Sequence, residues 1–196
     1  MDILLEALKA ELTGEQDMER LSQLVNTEYV GENRRYKGFR QVKTTLAGNP
    51  LVAYAQEHKD EVLSALKSEP DRNLILSALM VSRYPVCYDT YCLMAKQFRL
   101  QDEINRDLII RMLGTKYGAN KSVQNVQINV VAQMLECKLI QRPKVGVYAY
   151  AEPQKPVHPI TMKLWQESYF LNEPLANRED TESVMFEPFF RYIQLS

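Results

Sequence analysis

Residues 116–150, KYGANKSVQNVQINVVAQMLECKLIQRPKVGVYAY, carry the change of character on which the fold turns. A glycine-punctuated basic segment passes into an apolar helical run, and that run passes into two β-rich pieces separated by Pro143 and Gly146. Ser122 is well placed to cap a helix that the spacing predicts to run to about Cys137. At about 100° per residue, Val123, Val126, Val130, Val131, Met134 and Leu135 share one half of the wheel. Lys121, Asn125, Asn129, Ala132 and Glu136 occupy the opposite half, and Gln127 interrupts the apolar arc. The β-branched residues give this helix modest intrinsic propensity, so tertiary packing of its apolar face has to hold it.

Working outward, Pro85 opens a helix to about Arg99, and Gln101 or Asp102 opens another that runs to Leu113. After residue 139 the chain turns rich in β-formers and proline. A hairpin fits there, with Pro143 to Gly146 as its turn and an extended segment to Pro159. Upstream, residues 2–12 and 15–26 read as an antiparallel helical hairpin broken at Thr13 and Gly14. Residues 31–50, bounded by glycines and Pro50, read as a loop with at most one helical turn. Residues 51–66 and 71–83 are helical. Past the hairpin, ITMKLWQESYFL gives one more amphipathic helix, with the single Trp of the chain. The acidic NREDTE then leads to FEPFFRYI, an aromatic segment that needs a surface to pack on.

The charge is uneven. Net charge is −1, yet residues 1–30 sum to −5, residues 31–104 to +2, residues 105–150 to +5 and residues 151–196 to −3. A phosphate backbone meets the local field, so the positive middle bears on nucleic-acid binding despite the near-neutral total. Hydrophobic and charged contents of 45% and 25% suit a globular chain with a real core. No apolar run is long enough for a membrane span. The acidic start lacks the basic flank of a signal peptide, and a cytoplasmic location is the expectation. Cys87, Cys92 and Cys137 have no tight spacing; the first two fall on different helix faces, so free, mostly buried thiols are expected.

The order helix, helix, glycine-bearing turn, helix, strand, basic turn, strand over residues 85–150 resembles the winged helix-turn-helix superfamily. LECKLIQRPKVGVYAY carries the likeness: a helix ends in a leucine and passes through Leu139 and Ile140 into a β-wing. Many members have Gly where this chain has Cys137 or Lys138, so the turn into the wing departs from the pattern. With the helical patterns on either side of it, the chain reads as a mainly α fold in three parts. These are an N-terminal helical region over 1–84, a winged-helix module over 85–150, and an extended segment, helix and aromatic tail over 151–196 folded back on the rest. The layout also resembles small accessory proteins of prokaryotic phage-defence islands of the BREX type.

From the resemblance two functions follow, and the residues leave both open. As a binder of double-stranded DNA, the chain would set helix 122–137 in the major groove. Asn125 and Asn129 would then face base edges, their amides matching the donor and acceptor edge of adenine. Lys116 and Lys121 would meet phosphates, and Arg142 and Lys144 on the wing tip would touch backbone or minor groove. Arg34, Arg35, Lys37, Arg40 and Lys43, interleaved with Tyr36 and Phe39, would add a basic and aromatic track. Glu136 on the same helix face opposes phosphate. The alternative is a docking or dimerisation block that uses the same fold on a protein partner or a second copy.

Enzyme chemistry finds little support. His58 and His158 have no Cys or carboxylate at ligand spacing in the sequence, and both read as surface residues. There is no Walker loop and no dinucleotide fingerprint. The nuclease-like fragments at Pro70–Asp71 and Glu136–Lys138 fall on helices, not on neighbouring strands. No cofactor, metal or small-molecule substrate is inferred, and the expected role is that of a non-catalytic accessory component.

Overall fold

The structure, a computed structural model, describes residues 1–14, 18–118 and 121–194, with the backbone alone at Met18, Ser122 and Val123. The helices are α1 (Asp2–Thr13), α2 (Met18–Glu28), α3 (Glu32–Leu46), α4 (Pro50–Glu57), α5 (Lys59–Ala65), α6 (Glu69–Arg83), α7 (Pro85–Gln97), α8 (Arg106–Tyr117), α9 (Lys121–Glu136), α10 (Pro159–Asn172) and α11 (Thr181–Met185). Strands β1 (Glu103–Asn105), β2 (Ile140–Lys144) and β3 (Val147–Tyr150) form an antiparallel sheet in the order β1-β3-β2. The fold is mainly helical with this one small sheet among the described residues.

α6 is the axis. Every residue from Asn73 to Val81 is buried, so this helix is covered on all sides, chiefly by α10, α7, α3, α4 and α1. α10 is pinned to it at both ends. The Asp71 carboxylate accepts from the backbone N–H groups of Val157 and His158 and, at 2.6 Å, from Thr161 Oγ1. Asn172 Nδ2 donates to Val81 O at 3.1 Å, so the two helices run parallel. Burial by itself would raise the Asp71 carboxyl. The hydrogen bonds from Ser68, Thr161, His158 and Val157 outweigh it and hold the group below its ordinary value.

The aromatic tail finds its surface on α7 and α10. Phe189, Phe190 and Tyr192 are all but fully buried. Phe189 stacks on Trp165 with ring centroids 4.4 Å apart, and the Tyr192 hydroxyl donates to Tyr91 O at 2.9 Å. A bridge between Gln154 and Ile193 ties the extended segment to the same cluster.

Four expectations are corrected. Residues 31–50 are not a loop, because α3 spans fifteen of them; only Gly38, Thr45 and Leu46 are fully buried, leaving little periodicity to read. The helix expected from residue 101 or 102 gives way to β1 and then α8, with Ile104 buried against Tyr148 across the strand pair. The single helix over 51–66 breaks at His58 into α4 and α5. α9 starts at Lys121, which places Ser122 inside its first turn; the Ser122 side chain lies outside the described residues. Residues 15–17, expected to start the second helix, and the turn at 119–120 also lie outside them.

Candidate nucleic-acid interface

α9 is held by its buried stripe of Val130, Val131 and Met134, joined by Gln127 and Gln133. Its C-terminus closes in a Schellman motif: Leu139 N–H donates to Met134 O at 2.9 Å and Lys138 N–H to Leu135 O at 3.0 Å. Lys138 takes the left-handed conformation (φ 56°) that glycine would usually supply. This closure aims the chain directly into β2.

On the outer side of α9, Lys121, Asn125, Asn129, Ala132 and Glu136 are exposed, as the wheel required. They are not equivalent. Asn129, Ala132 and Glu136 face a cleft whose opposite wall is α3 and the start of α1. Glu136 accepts there from the Met1 backbone nitrogen. The N-terminal half, with Lys121, Gln124, Asn125 and Ile128, projects outward on the side away from the buried stripe. Val126, expected in the core, is 39% exposed at the cleft, and Leu135 is half-buried.

The hairpin expected as a wing is β2, a turn at Val145 and Gly146, and β3. Gly146 has φ 76°, and the register shifts between Gln141 and Lys144, which twists the tip. Arg142 and Lys144 are exposed, Lys144 with Glu103 3.8 Å away. Beside the turn lie Arg106 and Arg111 of α8, lining a hollow with Val145 and Gly146. The charge sum over 105–150 included these two arginines, but no pattern tied them to the wing. The link is β1: its pairing with β3 carries the start of α8 to the turn, where Arg106 N–H donates to Gly146 O at 2.8 Å.

The remaining expected residues are scattered. Lys116 forms an ion pair with Asp89 of α7 at 2.7 Å, and the Tyr117 hydroxyl donates to the same carboxylate. Its charge is therefore partly neutralised. Arg34, Arg35, Lys37, Arg40 and Lys43 are exposed on α3. Arg35 Nε donates to Tyr29 O at 2.9 Å. Of the two interleaved rings, Tyr36 is 64% exposed and Phe39 packs against the core. Helical spacing puts Arg34 on the same side as Gly38, Gln41 and Thr45, which line the cleft opposite α9.

One triad of catalytic residue types does come together. His158 Nδ1 lies 3.4 Å from Asp71 Oδ2, and His158 Nε2 lies 3.4 Å from Ser64 Oγ. The carboxylate is already engaged in capping α10. Ser64 sits in the last turn of α5, where backbone N–H groups point back along the helix and offer no oxyanion site. The geometry is that of a helix dock. The thiols are free, and burial pushes Cys137 up to about 11 and both Cys87 and Cys92 up to about 12. Among the described residues no three His, Cys, Asp or Glu side chains gather where they could hold a metal, and no helix is long and apolar enough to cross a membrane. No family model, curated protein or solved structure matches the chain.

Proposed function

We propose that the protein is a non-catalytic DNA-binding component of a larger prokaryotic assembly, of the phage-defence kind its sequence resembles, and that residues 85–150 act as a winged helix. The observation that carries the reading is topological. Helix, strand, helix, helix, strand, strand, with β3 central in the sheet, is the arrangement in which α9 would be the recognition helix and the β2–β3 turn the wing. Recognition helices meet bases mainly with their N-terminal residues, and that end of α9 carries exposed Lys121 and Asn125. Arg142, Lys144, Arg106 and Arg111 supply cations beside it for phosphates. Asn129 belongs to the cleft side and contributes less.

The test is fluorescence anisotropy with a labelled duplex across a salt series. The expected result is an affinity that falls steeply with salt, and a slope reduced by about two when Arg142 and Lys144 both become Ala. No binding at low salt, or an unchanged slope, contradicts the proposal. A second reading, docking to a protein partner or another copy, is favoured by exposed Ile128 on the same outer face and by the carboxylates beside Lys116 and Lys144. It predicts a concentration-dependent dimer or a stable co-purifying partner, with no salt-dependent DNA binding.

A further inference from the structure

Charge of each sign is gathered on a surface of its own. On α3, Arg34, Arg35, Lys37, Arg40 and Lys43 stand against a single carboxylate, Glu32. Between residues 173 and 187, Glu173, Glu179, Asp180, Glu182 and Glu187 stand against a single cation, Arg178, which Glu167 already pairs at 2.7 Å. None of these five α3 cations and five carboxylates forms an ion pair among the described residues.

Each surface also exposes apolar side chains. Helical spacing turns Tyr36, Lys37, Arg40 and Lys43 away from the side of α3 that buries Gly38, Thr45 and Leu46, and Tyr36 stands exposed among the cations. In the acidic segment, Leu175 is 99% and Phe186 78% exposed. That segment is one surface: α11 lies within it, and Arg99 Nη2 fixes its end by donating to Phe186 O at 3.0 Å. Its two extremes also meet at Tyr169, whose hydroxyl is raised to about 12 by burial and by the nearby Glu187 and Glu173 carboxylates. Tyr, Phe and Arg are side chains that interfaces concentrate, and a patch of one sign steers to itself a patch of the other. Within one molecule the two surfaces do not pair: α3 packs chiefly on α1, α2 and α6, and the acidic segment follows α10.

We propose that copies of the chain associate with each other, the basic face of α3 on one copy seating on the acidic segment 173–187 of a second, with Tyr36, Leu175 and Phe186 inside the contact. Neither α9 nor the β2–β3 turn takes part, so the inference holds whether or not the chain meets DNA.

Sedimentation velocity of the full chain, without nucleic acid, tests it. The average mass should rise with protein concentration at about 0.1 M salt and return to that of the monomer at about 1 M, as the Debye length falls from about 10 Å to about 3 Å. The charge reversals K37E/R40E/K43E and E179K/E182K/E187K, all at exposed positions, should each melt like the parent and each stay monomeric at about 0.1 M salt. An equimolar mixture of the two should associate again, because each keeps the surface the other has lost. F186S should weaken association by roughly tenfold, and R142A/K144A should leave it unchanged. A monomer throughout at about 0.1 M salt would overturn the proposal and leave the α3 cations to another polyanion, such as a nucleic-acid backbone. Association that survives either charge reversal, a mixture that stays monomeric, undiminished association of F186S, or its loss in R142A/K144A would overturn it equally.

Discussion

Asp71 joins two helices that are far apart in the sequence. Fully buried, it spends both carboxylate oxygens on the start of α10, eighty-six and more residues downstream. In the sequence it looked like an ordinary acid in the first turn of a helix opened by Pro70, because nothing local shows that its partners lie beyond residue 156. Replacing it by Ala leaves two N–H groups and a hydroxyl without their acceptor, and the expected loss is about 3 kcal/mol in urea unfolding. Its folded pKa is depressed, so its contribution is fully present above the unfolded value of about 3.9 and is lost as pH falls through the lower folded value. Asp71→Asn should therefore lose stability at neutral pH and flatten the acid limb of the stability curve below about pH 4. An acid limb identical to that of the parent protein would show that the carboxylate is not the group responsible.

At the scale of elements, α9 was the most legible part of the molecule and β1 and α3 the least. Val130, Val131 and Met134 of the expected arc are buried, Val126 is not and Leu135 is only half-buried, and the flaw in the arc is present. Gln127 falls in the apolar arc and is buried there, with neither side-chain polar atom hydrogen-bonded among the described residues. Gln127→Met, close in shape and free of the amide, should raise stability by about 1–3 kcal/mol. Calorimetric melting measures it, and a lower melting temperature would mean that the amide has a partner in solution. β1 could not be seen because it is three residues long with Ile104 as its one buried position, and its partner strand lies some forty residues on. α3 was hidden for another reason. The glycines and Pro50 that bound residues 31–50 read as the limits of a loop, yet inside it Gly38 lets the helix back onto Tyr29: a Cβ there would stand 2.5 Å from the ring. Lys138 is the converse case, a turn that normally advertises itself with glycine but is made here without one.

Across the whole molecule, the buried residues form one continuous core from α1 to the tail, which sets α3 opposite α9 and the aromatic tail on α7 and α10. The sequence showed that the tail needed a platform; the platform itself, Tyr88, Tyr91, Trp165 and Tyr169, is assembled from two helices seventy residues apart and was not visible in either. The same assembly divides the candidate interface. It leaves the N-terminal half of α9 and the β2–β3 turn outward, and it turns the C-terminal half towards the cleft. Lys121, Arg106, Arg111, Arg142 and Lys144 are exposed in that outward part, while α3 carries a second basic group across the cleft. Amide hydrogen exchange with and without a duplex at low salt tests this most directly. The account predicts slowed exchange in residues 121–128 and 141–147 on adding DNA, with the tail and α10 unchanged; no protection in either segment, or protection confined to other elements, would contradict it.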